Sequence, residues 1–140
     1  MSTEKTVITV TATVNAPVSK VWEYWNTPAH ITKWAFASPD WHTPTASNDL
    51  RAGGSFSSRM EAKDGSMGFD FGGIYDAVEE NNYIGYTLGD QRKVKITFIA
   101  DGDSTHISES FDAEEQNPVE MQQMGWQAIL DNFKNYTEGN

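Results

Sequence analysis

Residues 93–111 read KVKITFIADGDSTHISESF, two alternating runs on either side of Asp101-Gly102. In the first run Val94, Ile96 and Phe98 share one face, and Lys93 and Lys95 the other. In the second, Ile107 and Phe111 share a face, and Glu109 falls between them with the same parity. Side chains alternate across a strand, so each run predicts a strand with one dry and one wet face. The Asp-Gly step predicts the tight turn that pairs them antiparallel.

The same grammar extends backwards. Ala52-Gly53-Gly54, Asp64-Gly65, Asn81-Asn82 and Gly89-Asp90 punctuate further short runs between Trp41 and Phe111. Phe56, Ser58 and Met60 share a face, as do Phe69, Phe71, Gly73 and Tyr75, while Arg59, Glu61, Asp70 and Asp76 take the opposite one. Short connections at this regularity make an antiparallel meander. Gly68, Gly72, Gly73 and Gly85 sit inside the strand patterns, where glycine permits bulges and sharp bends and so predicts a curved sheet.

At the front of the chain, Ile8, Val10, Ala12 and Val14 alternate with Thr9, Thr11 and Thr13, a first half-buried strand over Val7–Val14. Asn15-Ala16-Pro17 breaks it, and Val21, Trp22 and Trp25 then recur at helical spacing. Thr27-Pro28 opens a second short helix carrying Ile31 and Trp34. At the other end, Asn117-Pro118-Val119-Glu120 reads as an N-cap, a proline in the first helical position and a capping glutamate. The long helix that follows has two apolar faces. Val119, Trp126, Ile129, Leu130 and Phe133 form one stripe; Met121, Met124 and Ala128 lie nearly opposite and either line something else or await a partner.

Strand, two short helices, five or six hairpin-linked strands and a long C-terminal helix predict an α+β domain spanning residues 1–140. Its curved antiparallel sheet of six to seven strands wraps that last helix. One helix cannot fill the concavity of a curved sheet, so a cavity is expected. Trp25, Trp34, Trp41, Phe56, Met60, Phe69, Phe71, Tyr75, Phe98 and Trp126 are its candidate walls, with Met121 and Met124 as further candidates from the helix. Taken singly, each is more readily core filling than a ligand contact.

Composition narrows the function. Twenty acidic against ten basic side chains give a formal charge of −10, which repels phosphate backbones and argues against nucleic acid as a partner. The absence of cysteine excludes disulfides and thiolate metal sites and points to a reducing, cytoplasmic home. Residues 1–5 are polar, and no stretch approaches twenty apolar residues, so neither a leader nor a membrane span is expected. His30, His42 and His106 do not fall at metal-ligand spacing, and no phosphate or dinucleotide loop is present, so no metal or cofactor is expected. Tyr75 and Glu109 are the candidates for acid–base chemistry in a dry pocket, but no complete catalytic constellation assembles around them.

Read in order, Ala16-Pro17 with Val21-Trp22, Thr27-Pro28 with Trp34, and residues 49–54 (Asp-Leu-Arg-Ala-Gly-Gly) leading to Phe56 form a pattern. It continues through Arg59-Met60, Asp64-Gly65, Gly73-Ile74-Tyr75, Thr105, and Gly125-Trp126 with Leu130. This pattern resembles the domain related to the activator of the heat-shock protein 90 ATPase, within the START-like, polyketide-cyclase-like superfamily. The resemblance covers nearly the whole chain. It implies a helix-grip fold with a cavity between sheet and C-terminal helix, and it implies no single activity, since its members include lipid carriers, cyclases and co-chaperone domains. The sequence departs from the common pattern after Tyr75, where residues 79–84 (Glu-Glu-Asn-Asn-Tyr-Ile) replace a proline-rich turn. Three functions are therefore expected, in this order: binding of a small hydrophobic or amphipathic molecule; a cyclase-, lyase- or hydrolase-like enzyme marked by a buried ionisable group; and a protein-interaction module marked by exposed Met121 and Met124.

Overall fold

The computed structural model describes residues 6–140, so the expectation for residues 1–5 lies outside the described residues. The elements follow in the order β1 (Val7–Val14), α1 (Val18–Asn26), α2 (Pro28–Trp34), β2 (Trp41–Asn48), β3 (Ser55–Ala62) and β4 (Gly68–Glu79). Then come β5 (Tyr83–Leu88), β6 (Lys93–Asp101), β7 (Ser104–Asp112) and α3 (Val119–Gly139). The strands form one seven-stranded antiparallel sheet in the order β1-β7-β6-β5-β4-β3-β2. The first strand thus closes onto the last, and every other neighbour is a hairpin partner. This is the α+β helix-grip architecture: a curled sheet with α3 in its concavity and two short helices after the first strand.

The hairpin turns use the residues their geometry demands. Gly53, Gly65 and Gly102 adopt positive φ, and Asn81 and Gln91 do so as well. Glycine has a second use within β4. A Cβ on Gly72 would lie 2.4 Å from the Phe56 carbonyl oxygen, and one on Gly73 would lie 2.5 Å from that of Thr87. No side chain fits there. Immediately beyond, the β4–β5 register shifts between Tyr75 and Ala77, a bulge that adds local bend. Together these features curl the β2–β5 half of the sheet.

The alternation seen in the sequence becomes the core. Ile8, Val10, Val94, Ile96, Phe98, Ile107 and Phe111 are buried on the concave face, against Leu130 and Phe133 of α3. The two short helices close one end with aromatic rings: Trp25 lies 5.0 Å from Trp34 and 4.8 Å from Phe133, centroid to centroid, and Trp34 lies 4.9 Å from Phe133. The Trp34 indole N–H donates to the Tyr24 carbonyl, tying α2 to α1, and the buried Thr43 hydroxyl donates to the Ala35 carbonyl at 2.6 Å, fixing the end of α2 against β2.

The start of α3 differs from expectation. Pro118 is extended (φ −56°, ψ 145°), the helix begins at Val119, and Asn117 does not cap it. The Asn117 amide donates instead to Glu114 Oε1. Gln122, buried in the first turn, supplies the anchor: its Oε1 accepts the Glu114 N–H at 2.8 Å, and its Nε2 donates to the Asn117 carbonyl at 2.8 Å. Gln122 takes the buried position expected of Val119, which is 44% exposed.

Phe133 touches both short helices and is fully buried, so Phe133→Ala is expected to lower the unfolding free energy by about 3–5 kcal/mol. Urea denaturation followed by tryptophan fluorescence measures this, and a loss of under about 1 kcal/mol would show that the aromatic cluster is not what holds α1 and α2 to α3.

Candidate functional site

α3 lies closest to β1. Its fully buried Leu130 and Phe133 fill the space on that side, but the helix cannot also follow strands β2–β5 as they curl away. A cavity of about 300 Å³ remains between them. Trp126 and Ile129 of α3 form one wall, Trp25, Ile31 and Trp34 of the short helices a second, and inward residues of β2–β5 a third. Trp126 separates core from cavity. One face of its indole stacks on Phe111 at 3.9 Å with planes 13° apart, and Phe71 meets the ring edge-on at 5.9 Å.

Of the wall residues expected from sequence, Trp25, Trp34, Phe56, Met60, Phe69, Phe71, Tyr75 and Trp126 line this cavity, and Glu109 joins them. Phe69 is also 48% exposed, which places it where the cavity meets solvent. Four expected residues lie elsewhere. Phe98 is core: it projects from β6 under the short helices, 5.4 Å from Trp22 and 5.6 Å from Trp25. Trp41, the first residue of β2, sits beside Phe69 at 5.9 Å, outside the lining. Met121 and Met124 are 59% and 73% exposed, because the opposite stripe of α3 is the one turned into the sheet.

Sequence reasoning missed several lining residues. Tyr86 and Ile84 are the inward residues of β5, and Ser58, Asn48 and Arg92 complete the polar part of the wall. The signal for Tyr86 was present in YIGYTL, where Ile84, Tyr86 and Leu88 alternate around Gly85 just as the neighbouring strands do. Asn48 had no such signal, because its role depends on a partner 27 residues away.

The polar groups fall into two sets. Tyr75 belongs to a satisfied chain: its hydroxyl donates to Asn48 Oδ1 at 2.6 Å, Asn48 Nδ2 donates to the Asn26 carbonyl at 2.7 Å, and Asn26 Nδ2 donates to the Trp22 carbonyl at 2.9 Å. Burial pushes the Tyr75 phenol well up. It is a fixed hydrogen-bonding group, not a proton donor at neutral pH.

Glu109 is different. It projects inward from β7 between Val10 of β1 and Ile96 of β6 and is 6% exposed. Its carboxyl has no hydrogen-bond partner among the described residues and faces the cavity. Burial among these apolar neighbours pushes its pKa up to about 8. The nearby Tyr86 hydroxyl is likewise without a hydrogen-bond partner among the described residues, and burial, reinforced by the Glu109 charge, raises it well above its ordinary value. The two groups form a polar patch in an otherwise aromatic cavity. Arg92, the cation bordering the cavity, is held by Asp90 at 2.7 Å.

The histidines take no part in a shared site. His30 bonds to Tyr136 and stacks on Tyr24, His42 lies near Glu61, and His106 bonds to Thr13 and Asp101. Among the described residues no group of His, Asp or Glu is arranged to hold a metal ion, and no helix is long and apolar enough to cross a membrane.

Glu109 gives stability a definite pH dependence. Its carboxyl titrates near 4.5 in the unfolded chain and near 8 in the folded one. Between those values the native state keeps a proton that the unfolded state has released, so stability falls as pH rises through the window and levels off above it. Glu109→Gln removes that slope. Denaturant unfolding between about pH 5 and pH 9 is expected to show the variant close to wild type at the acid end and more stable by a few kcal/mol at the alkaline end. Parallel curves for the two proteins would mean that the carboxyl is hydrated in the native state.

No curated protein matches the chain. Solved structures do. An AHSA1-like protein from Aeromonas hydrophila, determined by solution NMR, is 42% identical, with 96% of this chain and 93% of that one covered at a TM-score of 0.90. A protein from Cytophaga hutchinsonii is 64% identical, with 95% and 92% covered at a TM-score of 0.82. A protein from Chromobacterium violaceum shares the fold at 21% identity, with 96% and 99% covered and a TM-score of 0.86. The family model described as activator of Hsp90 ATPase homolog 1-like protein matches residues 15–138. With nearly the whole chain matched by that model and by these relatives, the protein belongs to the family of activator of Hsp90 ATPase homolog 1-like proteins, consistent with the START-like superfamily.

Proposed function

We propose that residues 1–140 act as a single domain that binds a small hydrophobic or amphipathic molecule in the cavity between sheet and α3. The observation that carries this reading is the coexistence of an aromatic cavity of about 300 Å³ with a buried polar patch that is not satisfied by the protein's own side chains. Sites for small molecules are typically built this way, from apolar walls that supply affinity and a few convergent polar groups that set orientation. Trp25, Trp34, Phe56, Met60, Phe69, Phe71 and Trp126 would contact the apolar body of the ligand. Tyr75, Tyr86 and Glu109 would meet its polar end. The family and fold agree with such a role without naming a ligand. The chain's lack of cysteine suits a reducing, cytoplasmic setting.

A second reading rests on Glu109 itself. A carboxyl titrating near 8 beside a buried phenol is suited to proton transfer at neutral pH, so the same cavity would serve an enzyme that moves a proton on its bound substrate. The third reading, a protein-binding surface, rests on Met121 and Met124, which are exposed on the outer face of α3.

Displacement of an environment-sensitive apolar dye, with native mass spectrometry for a co-purifying molecule, tests the first reading. Saturable one-to-one binding is expected. It should be lost in Phe71→Asp and Trp126→Asp variants that keep the wild-type circular dichroism, and it should survive in Met124→Asp. Binding lost only in Met124→Asp would move the site to the outer face of α3, and no binding by any apolar probe would reject the cavity reading.

A further inference from the structure

The cavity's polar groups divide into those already partnered and those waiting for a partner. Tyr75 is bonded to Asn48, Arg92 to Asp90, and Glu114 accepts from Asn117. The Glu109 carboxyl and the Tyr86 and Ser58 hydroxyls remain, on buried residues and with no side-chain hydrogen-bond partner among the described residues; Glu109 is the one of the three that can ionise to an anion near neutral pH. A buried polar group left unpaired is expensive, and a buried carboxyl more so. On the cavity reading, the polar end of a ligand would meet this carboxyl.

Charge decides what that polar end is. Glu109 and Glu114 border the cavity against one arginine, which Asp90 already holds, and the whole chain carries a formal charge of −10. A ligand carboxylate or phosphate would find no free cation to receive it and could meet only the neutral form of Glu109, against the negative charge of the chain as a whole. A protonated amine gains on each count: it is drawn in by the overall charge, it pairs with Glu109, and the aromatic faces of Trp25, Trp34, Phe71 and Trp126 stabilise a cation near them.

Resting on the reading of the cavity as a ligand site, we propose that its ligand is an apolar amine, whose ammonium group seats on the Glu109 carboxylate beside Tyr86 and whose hydrocarbon or aromatic body lies against Phe56, Phe71 and Trp126. In the empty cavity Glu109 holds a proton at neutral pH. Binding therefore exchanges one cation for another: the ammonium enters, and the carboxyl proton leaves for solvent. The groups around it do not blur this exchange. β1 and β6 present Val10 and Ile96, and α3 presents Trp126 and Ile129. β4 and β5 contribute Tyr75 and Tyr86, whose phenols burial keeps neutral; Arg92 and Glu114 lie at the cavity border. Affinity for the amine is expected to rise with pH by about tenfold per unit while Glu109 is protonated in the free protein, and to level off above about pH 8.

Isothermal titration calorimetry with naphthylmethylamine, naphthylmethanol and naphthoate, which share one apolar body, tests this on wild type and Glu109→Gln. At neutral pH, in two buffers of different ionisation enthalpy, wild type should bind the amine about tenfold or more tighter than the alcohol. Naphthoate should bind weakest, and close to one proton should be released per amine bound. Glu109→Gln should lose both the proton release and the preference for the amine over the alcohol. Alcohol or naphthoate binding wild type as tightly as the amine, or an amine preference that survives in Glu109→Gln, overturns the amine assignment and leaves the cavity reading standing. Failure of all three probes overturns the assignment too, and if the apolar dye also fails, the cavity reading falls with it.

Discussion

A straight helix laid against one side of a curled seven-stranded sheet cannot touch all of it. α3 commits its buried stripe to β1 and to the core around Phe111, and Gly72, Gly73 and the bulge after Tyr75 bend the other half of the sheet away from it. The space between is set by backbone geometry and not by any one side chain. Aromatic residues narrow it without closing it: Trp126 seals the core behind it by stacking on Phe111, and the Trp25, Trp34 and Phe133 cluster closes the end under the short helices. Packing density is thereby kept high on the β1 side, where stability is made, and given up on the β2–β5 side.

Within that space the energetic oddity is Glu109. Its neighbours along the inward face, Ile107 and Phe111, are fully buried core residues, and strand parity turns the carboxyl away from the wet face of the sheet and into the cavity. An apolar residue at that position would serve folding better, because burial of an unpaired carboxyl opposes stability once it ionises. Stability forgone at a position that faces a cavity is the pattern expected where a site is shaped for something other than the fold. The same test separates Glu109 from Tyr75. Tyr75 is equally inward but is held by Asn48 and Asn26, so it rigidifies the wall and offers little to a ligand that is not already in use.

How much could be read from sequence follows from which periodicities are local. Strand faces and turns were legible because alternation and the Asp-Gly and Asn-Asn steps act over a few residues. Thr27-Pro28 likewise announced α2, and Pro17 the approach of α1. Three things were not legible. Phe98 and Phe71 have the same parity, and only the position of α3 over one half of the sheet makes the first core and the second cavity wall. Met121 and Met124 form a genuine second apolar stripe, but the direction in which a helix turns its stripes is a tertiary decision. Asn117 carries every local mark of an N-cap, yet its amide is engaged by Glu114, and the buried Gln122 anchors the segment instead by accepting the Glu114 N–H and donating to the Glu114 and Asn117 carbonyls. Tyr86 is legible by the same rule, since its alternation around Gly85 is as plain as that of the neighbouring strands.

If the cavity is a ligand site, as proposed, fold and ligand chemistry are separable in this molecule because they depend on different features of the same strand. β7 needs alternation to place Ile107 and Phe111 in the core, and any side chain of suitable size at position 109 satisfies that need. What the strand places there decides what the cavity can hold. A hydrophobic residue would leave a uniformly greasy pocket selective only for shape, and a lysine would suit an anionic amphiphile. A carboxyl suits a donor or a cation and makes occupancy depend on pH. Apolar walls contribute affinity roughly in proportion to the area they cover and discriminate poorly between ligands of similar size. A single buried charge discriminates strongly, because the wrong partner leaves it unpaired. On the proposed reading the family fold supplies the room and the residues aimed into it from β5 and β7 would supply the selectivity, which is why membership of the family narrows the architecture far more than it narrows the ligand.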